Sequence, residues 1–181
     1  MLSVFTAGSG ADELSAGTVI LIGMPGVGKT TLGATLATSL GCEFIDTDLL
    51  IEQAEQQSLQ AIVDQRGYLQ LREIEERILL ALDCEDSVVA TGGSAVYSVA
   101  AMAHLKRLGT VIYLRASLAT LQRRIDNFES RGLARSPGQS LASLFAERGP
   151  LYERYADRVL DCESDRVEQS RVKLEALLAA Q

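Results

Sequence analysis

Five short apolar runs alternate with longer stretches in which apolar residues recur at helical spacing. Thr18–Ile22 (TVILI) is continuous and β-branched, as expected for a parallel strand buried on both faces. Glu43–Ile45, Ser87–Ala90, Thr110–Leu114 and Arg158–Cys162 read as four further strands. Between them, Lys29–Leu40 carries small and apolar residues at helical spacing and stops at Gly41, a common C-terminal signal. Asp48–Gln57, Leu59–Gln65 and Tyr68–Leu82 predict three helices, the last with Leu69, Ile74, Ile78 and Leu82 near one stripe. Ala95–Leu108 predicts another helix, and Ser117 offers an N-cap for the next. Asn127–Gln139 holds Gly132, Pro137 and Gly138 without a strong period and predicts a mobile loop. Ser140–Asp157 reads as a helix interrupted at Gly149–Pro150, and Arg166–Ala180 as a closing amphipathic helix. Strands alternating with helices imply the α/β class, a parallel sheet covered on both faces.

Composition narrows the function classes. With 181 residues, 47% hydrophobic and 23% charged, the chain predicts one globular domain over 18–181, preceded by a flexible lead-in over 1–17. The net charge of −7 argues against nucleic acid or an anionic membrane as partner, although a small anionic substrate responds only to local charge. No apolar run approaches the roughly 20 residues of a membrane helix. Met1–Gly17 lacks the basic start and apolar centre of a secretory signal. Cys42, Cys84 and Cys162 are odd in number and far apart, which fits reduced thiols in a cytoplasmic protein. Cys42 and Cys162 lie near strand ends, within possible reach of a nucleotide. His104 reads as a structural residue on its helix, and Asp83–Asp86 as a solvated loop.

Gly23-Met24-Pro25-Gly26-Val27-Gly28-Lys29-Thr30 satisfies G-x-x-x-x-G-K-[ST] between a strand and a helix. Backbone N–H groups of such a loop, here Gly26 to Thr31, converge on phosphate oxygens at a helix N-terminus. Lys29 is expected on the β- and γ-phosphates and the Thr30 hydroxyl on Mg²⁺. The guanine-reading N-K-x-D motif is absent, so ATP is the expected nucleotide. A further set of residues follows in order. Asp46 and Asp48 flank Thr47 at a strand's end: either both acids serve the metal and an attacking hydroxyl, or Asp46 or Thr47 merely caps the next helix. Arg72 precedes Glu75 by three positions, a spacing that an ordinary surface ion pair explains. Thr91-Gly92-Gly93-Ser94 invites close approach of a ligand, or is a simple turn. Arg124, Arg131 and Arg148 complete the series, the last within Arg148-Gly149-Pro150-Leu151-Tyr152.

Taken together, this ordered set resembles the shikimate kinase family over about Val19 to Asp161. The resemblance implies a P-loop nucleoside-kinase-like fold with strand order 2-3-1-4-5, a lid over about 125–139, and a monomer. It also implies transfer of the γ-phosphoryl of MgATP to a ring hydroxyl of shikimate. By position, Asp48 matches the acid that binds substrate hydroxyls and acts as base, and Asp46 its partner near Mg²⁺. Arg72 and Arg148 match the arginines that grip the substrate carboxylate. Gly92 and Gly93, with Ser94 in the third place, match the substrate-binding turn. Arg131 matches the lid arginine that neutralises phosphate charge, and Arg124 the one stacked on adenine. The chain departs from the family pattern in several places. Ser94 stands where the turn usually ends in a third glycine. Arg131-Gly132-Leu133-Ala134 stands where the lid usually reads R-P-L-L. Val63 and Leu71 occupy places usually aromatic, Tyr68 replaces a usual glutamate, and the adenine loop Cys162–Val167 has no proline. Most of these touch the acceptor pocket or lid. Another hydroxylated carboxylic acid as acceptor, or a nucleotide-dependent binding module on the same fold, are the alternatives.

Overall fold

A computed structural model describes residues 17–125, 132–163 and 166–180. The lead-in 1–16 and most of the first half of the lid, including Arg131, lie outside the described residues. The apolar run β1 (Thr18–Ile22) is buried along its whole length. It has to be, because it is the middle strand of a five-stranded parallel sheet ordered β2-β3-β1-β4-β5. Its neighbours are β3 (Ser87–Ala90) and β4 (Gly109–Arg115), with Val19 paired to Val88 and to Thr110. β2 (Glu43–Asp46) and β5 (Arg158–Asp161) form the edges.

The P-loop leads into α1 (Lys29–Leu40), which ends on left-handed Gly41, whose N–H reaches the carbonyls of Ala37 and Thr38. Three helices follow β2: α2 (Thr47–Glu55), α3 (Leu59–Arg66) and α4 (Tyr68–Leu80). They enclose a second, smaller apolar cluster of Ile51, Ile62, Leu71 and Ile74, completed by Ala134 from the lid segment. The main core lies around the sheet. The stripe expected on α4 is corrected here. Leu69 is 57% exposed, and the buried face is Leu71, Ile74, Glu75 and Leu79.

The helix expected over Ala95–Leu108 divides. A single 3₁₀ turn spans Ala95–Tyr97, and Ser98 then caps α5 (Val99–Leu108) through its hydroxyl on Ala101 N–H. Ser117 caps α6 (Leu118–Arg124) in the same way, on Thr120 N–H. The opposite error holds for α7 (Leu141–Tyr155), which runs unbroken through Pro150. A proline inside a helix costs roughly 3 kcal/mol. Here it sits on the exposed side, while Arg148 and Tyr152 on either side of it are fully buried and pin the helix. Residues 132–139 form neither helix nor strand, yet they are docked. Gly132 N–H donates to the Gln60 side chain at 2.6 Å, and Ala134 is buried. α8 (Val167–Ala179) packs its Ser170, Leu174 and Leu178 face toward α1. No helix among the described residues is long and apolar enough to cross a membrane.

Candidate active site

Ligands of open α/β sheets bind outside the carboxyl ends of the strands, where the strand order reverses. β1 and β3 are adjacent there, and their continuations are the P-loop and the Thr91–Ser94 turn. Gly28, at φ 104, provides the left-handed residue from which α1 starts without a side-chain cap, leaving the first N–H groups of the helix for an anion. Lys29 Nζ lies along the loop, donating to the carbonyls of Gly23 at 2.8 Å and Met24 at 3.1 Å. Gly26, Val27, Gly28, Thr31 and Arg124 line a cavity of about 270 Å³ together with Cys162. Cys162 is thus at this end of the sheet, whereas Cys42 precedes β2 at the opposite end. Burial pushes the Cys162 thiol up to about 11, so it is no nucleophile near neutrality.

The two readings of the D-x-D both find a residue. Asp46 caps α2, its Oδ1 accepting from Asp48 N–H at 3.0 Å. Its Oδ2 accepts from the Thr30 hydroxyl at 2.8 Å, so a carboxylate and a hydroxyl stand together at the end of the P-loop. Asp48 faces a separate cavity of about 50 Å³, shared with Leu71, Glu75, Gly92–Ser94, Ala134 and Arg148. The turn is held from both sides. Thr91 N–H donates to Leu21 O at 3.1 Å, and Gly92 N–H to the Thr47 hydroxyl at 3.1 Å.

Two arginines from different helices meet on one oxygen. Arg72 Nε and Nη2 reach Ala134 O at 3.3 and 3.1 Å, and Arg148 Nη2 reaches it at 2.9 Å. Between them stands Tyr97, its ring 3.7 Å beneath the Arg72 guanidinium and its hydroxyl accepting from Arg148 Nε at 3.2 Å while donating to Glu147. Tyr152, stacked on Tyr113 at 5.2 Å, donates to Gly93 O at 2.7 Å and fixes α7 against the turn. The ordinary Arg72–Glu75 ion pair that the spacing allows does not form. Arg72 points to Ala134, and Glu75 turns inward, 3% exposed, to accept from the Ser94 hydroxyl. Of the two places expected to flank the acceptor, Leu71 lines this cavity, whereas Val63 lines a different one beside Gln60 and Arg135. Tyr97, Glu75 and Ala134 are site residues that motif reasoning passed over. Glu75 alone carried a signal, falling at the buried i, i+3, i+4 positions of Leu71 and Ile74.

Residues 25–178 match the family model for shikimate kinase. A shikimate kinase 2 from Yersinia pestis is 38% identical over 149 residues, covering 80% of this chain and 86% of that protein. The chain belongs to the shikimate kinase family. A shikimate kinase from Acinetobacter baumannii, solved with shikimate bound, superposes at a TM-score of 0.83 with 30% identity, over 90% of this chain and 93% of that one. The Aquifex aeolicus shikimate kinase gives 0.77 and 27%, over 90% and 96%. As a shikimate kinase family member, the chain is an ATP-dependent phosphotransferase acting on a hydroxyl group. The matched span takes in Lys29, Thr30, Asp46, Asp48, Arg72, Glu75, the Thr91–Ser94 turn, Arg124 and Arg148. His104 stands outside the site in a structural role, its Nε2 on Leu82 O at 2.7 Å.

Proposed function

We propose that this enzyme transfers the γ-phosphoryl of MgATP to the 3-hydroxyl of shikimate in the cytoplasm, as a monomeric single-domain catalyst. The observation that carries the reading is the convergence of Arg72 and Arg148 on the Ala134 carbonyl, beside Asp48 and the P-loop. Three N–H donors aimed at one oxygen suit a carboxylate better than a carbonyl, since charge-assisted bonds of this fork geometry are the strong ones. A carboxylate held there leaves the ring hydroxyls of the same molecule toward Asp48. Asp48 then orients the attacking hydroxyl and accepts its proton as the new P–O bond forms. Lys29 moves from the loop carbonyls to the β- and γ-phosphates, and Arg124 lies against the adenine. Arg131 belongs to the lid outside the described residues, and its proposed role is to neutralise the transferring phosphoryl group.

The Thr30 hydroxyl and Asp46 carboxylate fit Mg²⁺. They are hard oxygen donors 2.8 Å apart, and Mg²⁺ in such sites takes one or two protein oxygens with substrate phosphates and water. When bound, the ion neutralises charge on the β- and γ-phosphates. Segment 132–134 walls the narrow cavity that Asp48 faces, and we take its withdrawal to be what admits a six-membered ring acid. A coupled ADP-release assay across shikimate, gluconate and related acids tests the reading. Turnover with shikimate far above the others is expected, and none above the ATPase background with shikimate refutes it.

A further inference from the structure

Among the described residues, one buried side-chain oxygen or nitrogen has no hydrogen-bond partner: Oε1 of Glu75. An unpaired buried carboxylate oxygen is costly and points to a function. Its twin, Oε2, accepts from the Ser94 hydroxyl, and both residues line the acceptor cavity. A methyl group placed on Gly92 would lie 2.2 Å from Glu75 Oε1 and 2.8 Å from Asp48 Oδ1. The two carboxylate oxygens therefore flank one point that only a glycine leaves open. Around Glu75 stand Asp48 from α2, Lys29 from α1, and Arg148 and Tyr152 from α7. Arg72, on its own helix, is turned to Ala134.

We propose that Ser94 is a positioning residue that occupies one oxygen of Glu75 and leaves the other to receive an acceptor hydroxyl adjacent to the one at Asp48. This rests on the acceptor reading above and adds the residue that sets its geometry. In that reading the carboxylate lies with Arg72 and Arg148, and two adjacent hydroxyls lie with Asp48 and Glu75. Ser94 achieves this from the turn position where the family pattern has no side chain. Without its hydroxyl, both oxygens of Glu75 compete for the same donor and the carboxylate is free to rotate.

The test measures kcat and KM for shikimate between pH 5.5 and 8.5 in the wild type, Ser94→Ala, Ser94→Gly and Glu75→Gln. Melting temperature and ATP affinity confirm folding. The wild-type acid limb of kcat/KM falls near pH 7, where burial holds the Glu75 carboxyl. Both Ser94 variants raise KM roughly tenfold with little change in kcat, as loss of a hydrogen bond to a charged group predicts. They also move the acid limb up by about one pH unit, because the lost donor favoured the carboxylate. Glu75→Gln abolishes the limb. It also discriminates less against an analogue lacking the hydroxyl adjacent to the reacting one. An unshifted limb in both Ser94 variants, or a fall of equal size at every pH, overturns the proposal while leaving shikimate phosphorylation intact. Absence of wild-type turnover with shikimate overturns both.

Discussion

Replacing Glu75 by glutamine changes how the stability of the fold depends on pH. Burial pushes the Glu75 carboxyl from 4.5 to about 7; the Ser94 hydrogen bond, Arg148 and Lys29 oppose the rise, and Asp48 adds to it. The folded state therefore binds a proton more tightly than the unfolded chain, and stability falls as pH rises between these two values. At about 1.36 kcal/mol per pH unit, the full loss is about 3 kcal/mol, of which about 2.5 kcal/mol develops between pH 5 and pH 8. Glutamine keeps the shape and still accepts from Ser94 while removing the titration. Urea unfolding of wild type and Glu75→Gln at pH 5 and pH 8 isolates this group, because every other carboxylate is common to both proteins. The variant should gain about 2.5 kcal/mol relative to wild type at the higher pH, or roughly 5–10 °C in melting temperature for a domain of this size. An identical wild-type-minus-variant difference at both pH values would refute the reasoning. Glu75 would then be ionised throughout, and its missing partner would have to be sought elsewhere.

Asp48→Asn should abolish transfer while ATP affinity, measured by calorimetry, stays near wild type; a near-normal kcat removes Asp48 from the role of base. Arg148→Ala should weaken acceptor binding by roughly 2–5 kcal/mol and also lower the melting temperature, because the guanidinium is buried with Tyr97 and Ala134 as partners. Arg148→Lys should not rescue it, since an ammonium lacks the planar fork that sends separate N–H groups to Tyr97 and Ala134, and an unchanged KM in either variant counts against the carboxylate grip. Asp46→Ala removes the cap of α2, costing about 1 kcal/mol, and should raise the Mg²⁺ concentration needed for half-maximal turnover. Gly92→Ala should stop turnover with ATP binding retained, because its methyl group collides with both carboxylates.

What the sequence made legible, and what it hid, follows from the range of the forces involved. The P-loop and the five strands depend on local signals, namely a buried β-branched run, glycines at fixed offsets and a lysine opening a helix, and these appear in the structure where they were expected, whereas the strand order was implied only by the family resemblance. Pro150 was misread because its helix is set by non-local packing, with Arg148 and Tyr152 anchoring the chain on both sides of a residue that locally opposes it. The Arg72–Glu75 spacing is overridden for the same reason. An i, i+3 pair on a solvated face contributes a few tenths of a kcal/mol, whereas Arg72 finds a carbonyl 62 residues away and Glu75 a hydroxyl 19 residues away. The overall acidity points the same way. The half-buried Glu55 and the exposed Asp161 and Glu168 are matched by arginines away from the candidate site. At the candidate site, Arg72 and Arg148 instead point inward to one oxygen. Net charge thus describes the surface, while the groups gathered at the candidate site have partners distant in sequence. For that reason Ser94, a departure in a glycine turn, acquires its meaning only when Glu75 is seen beneath it.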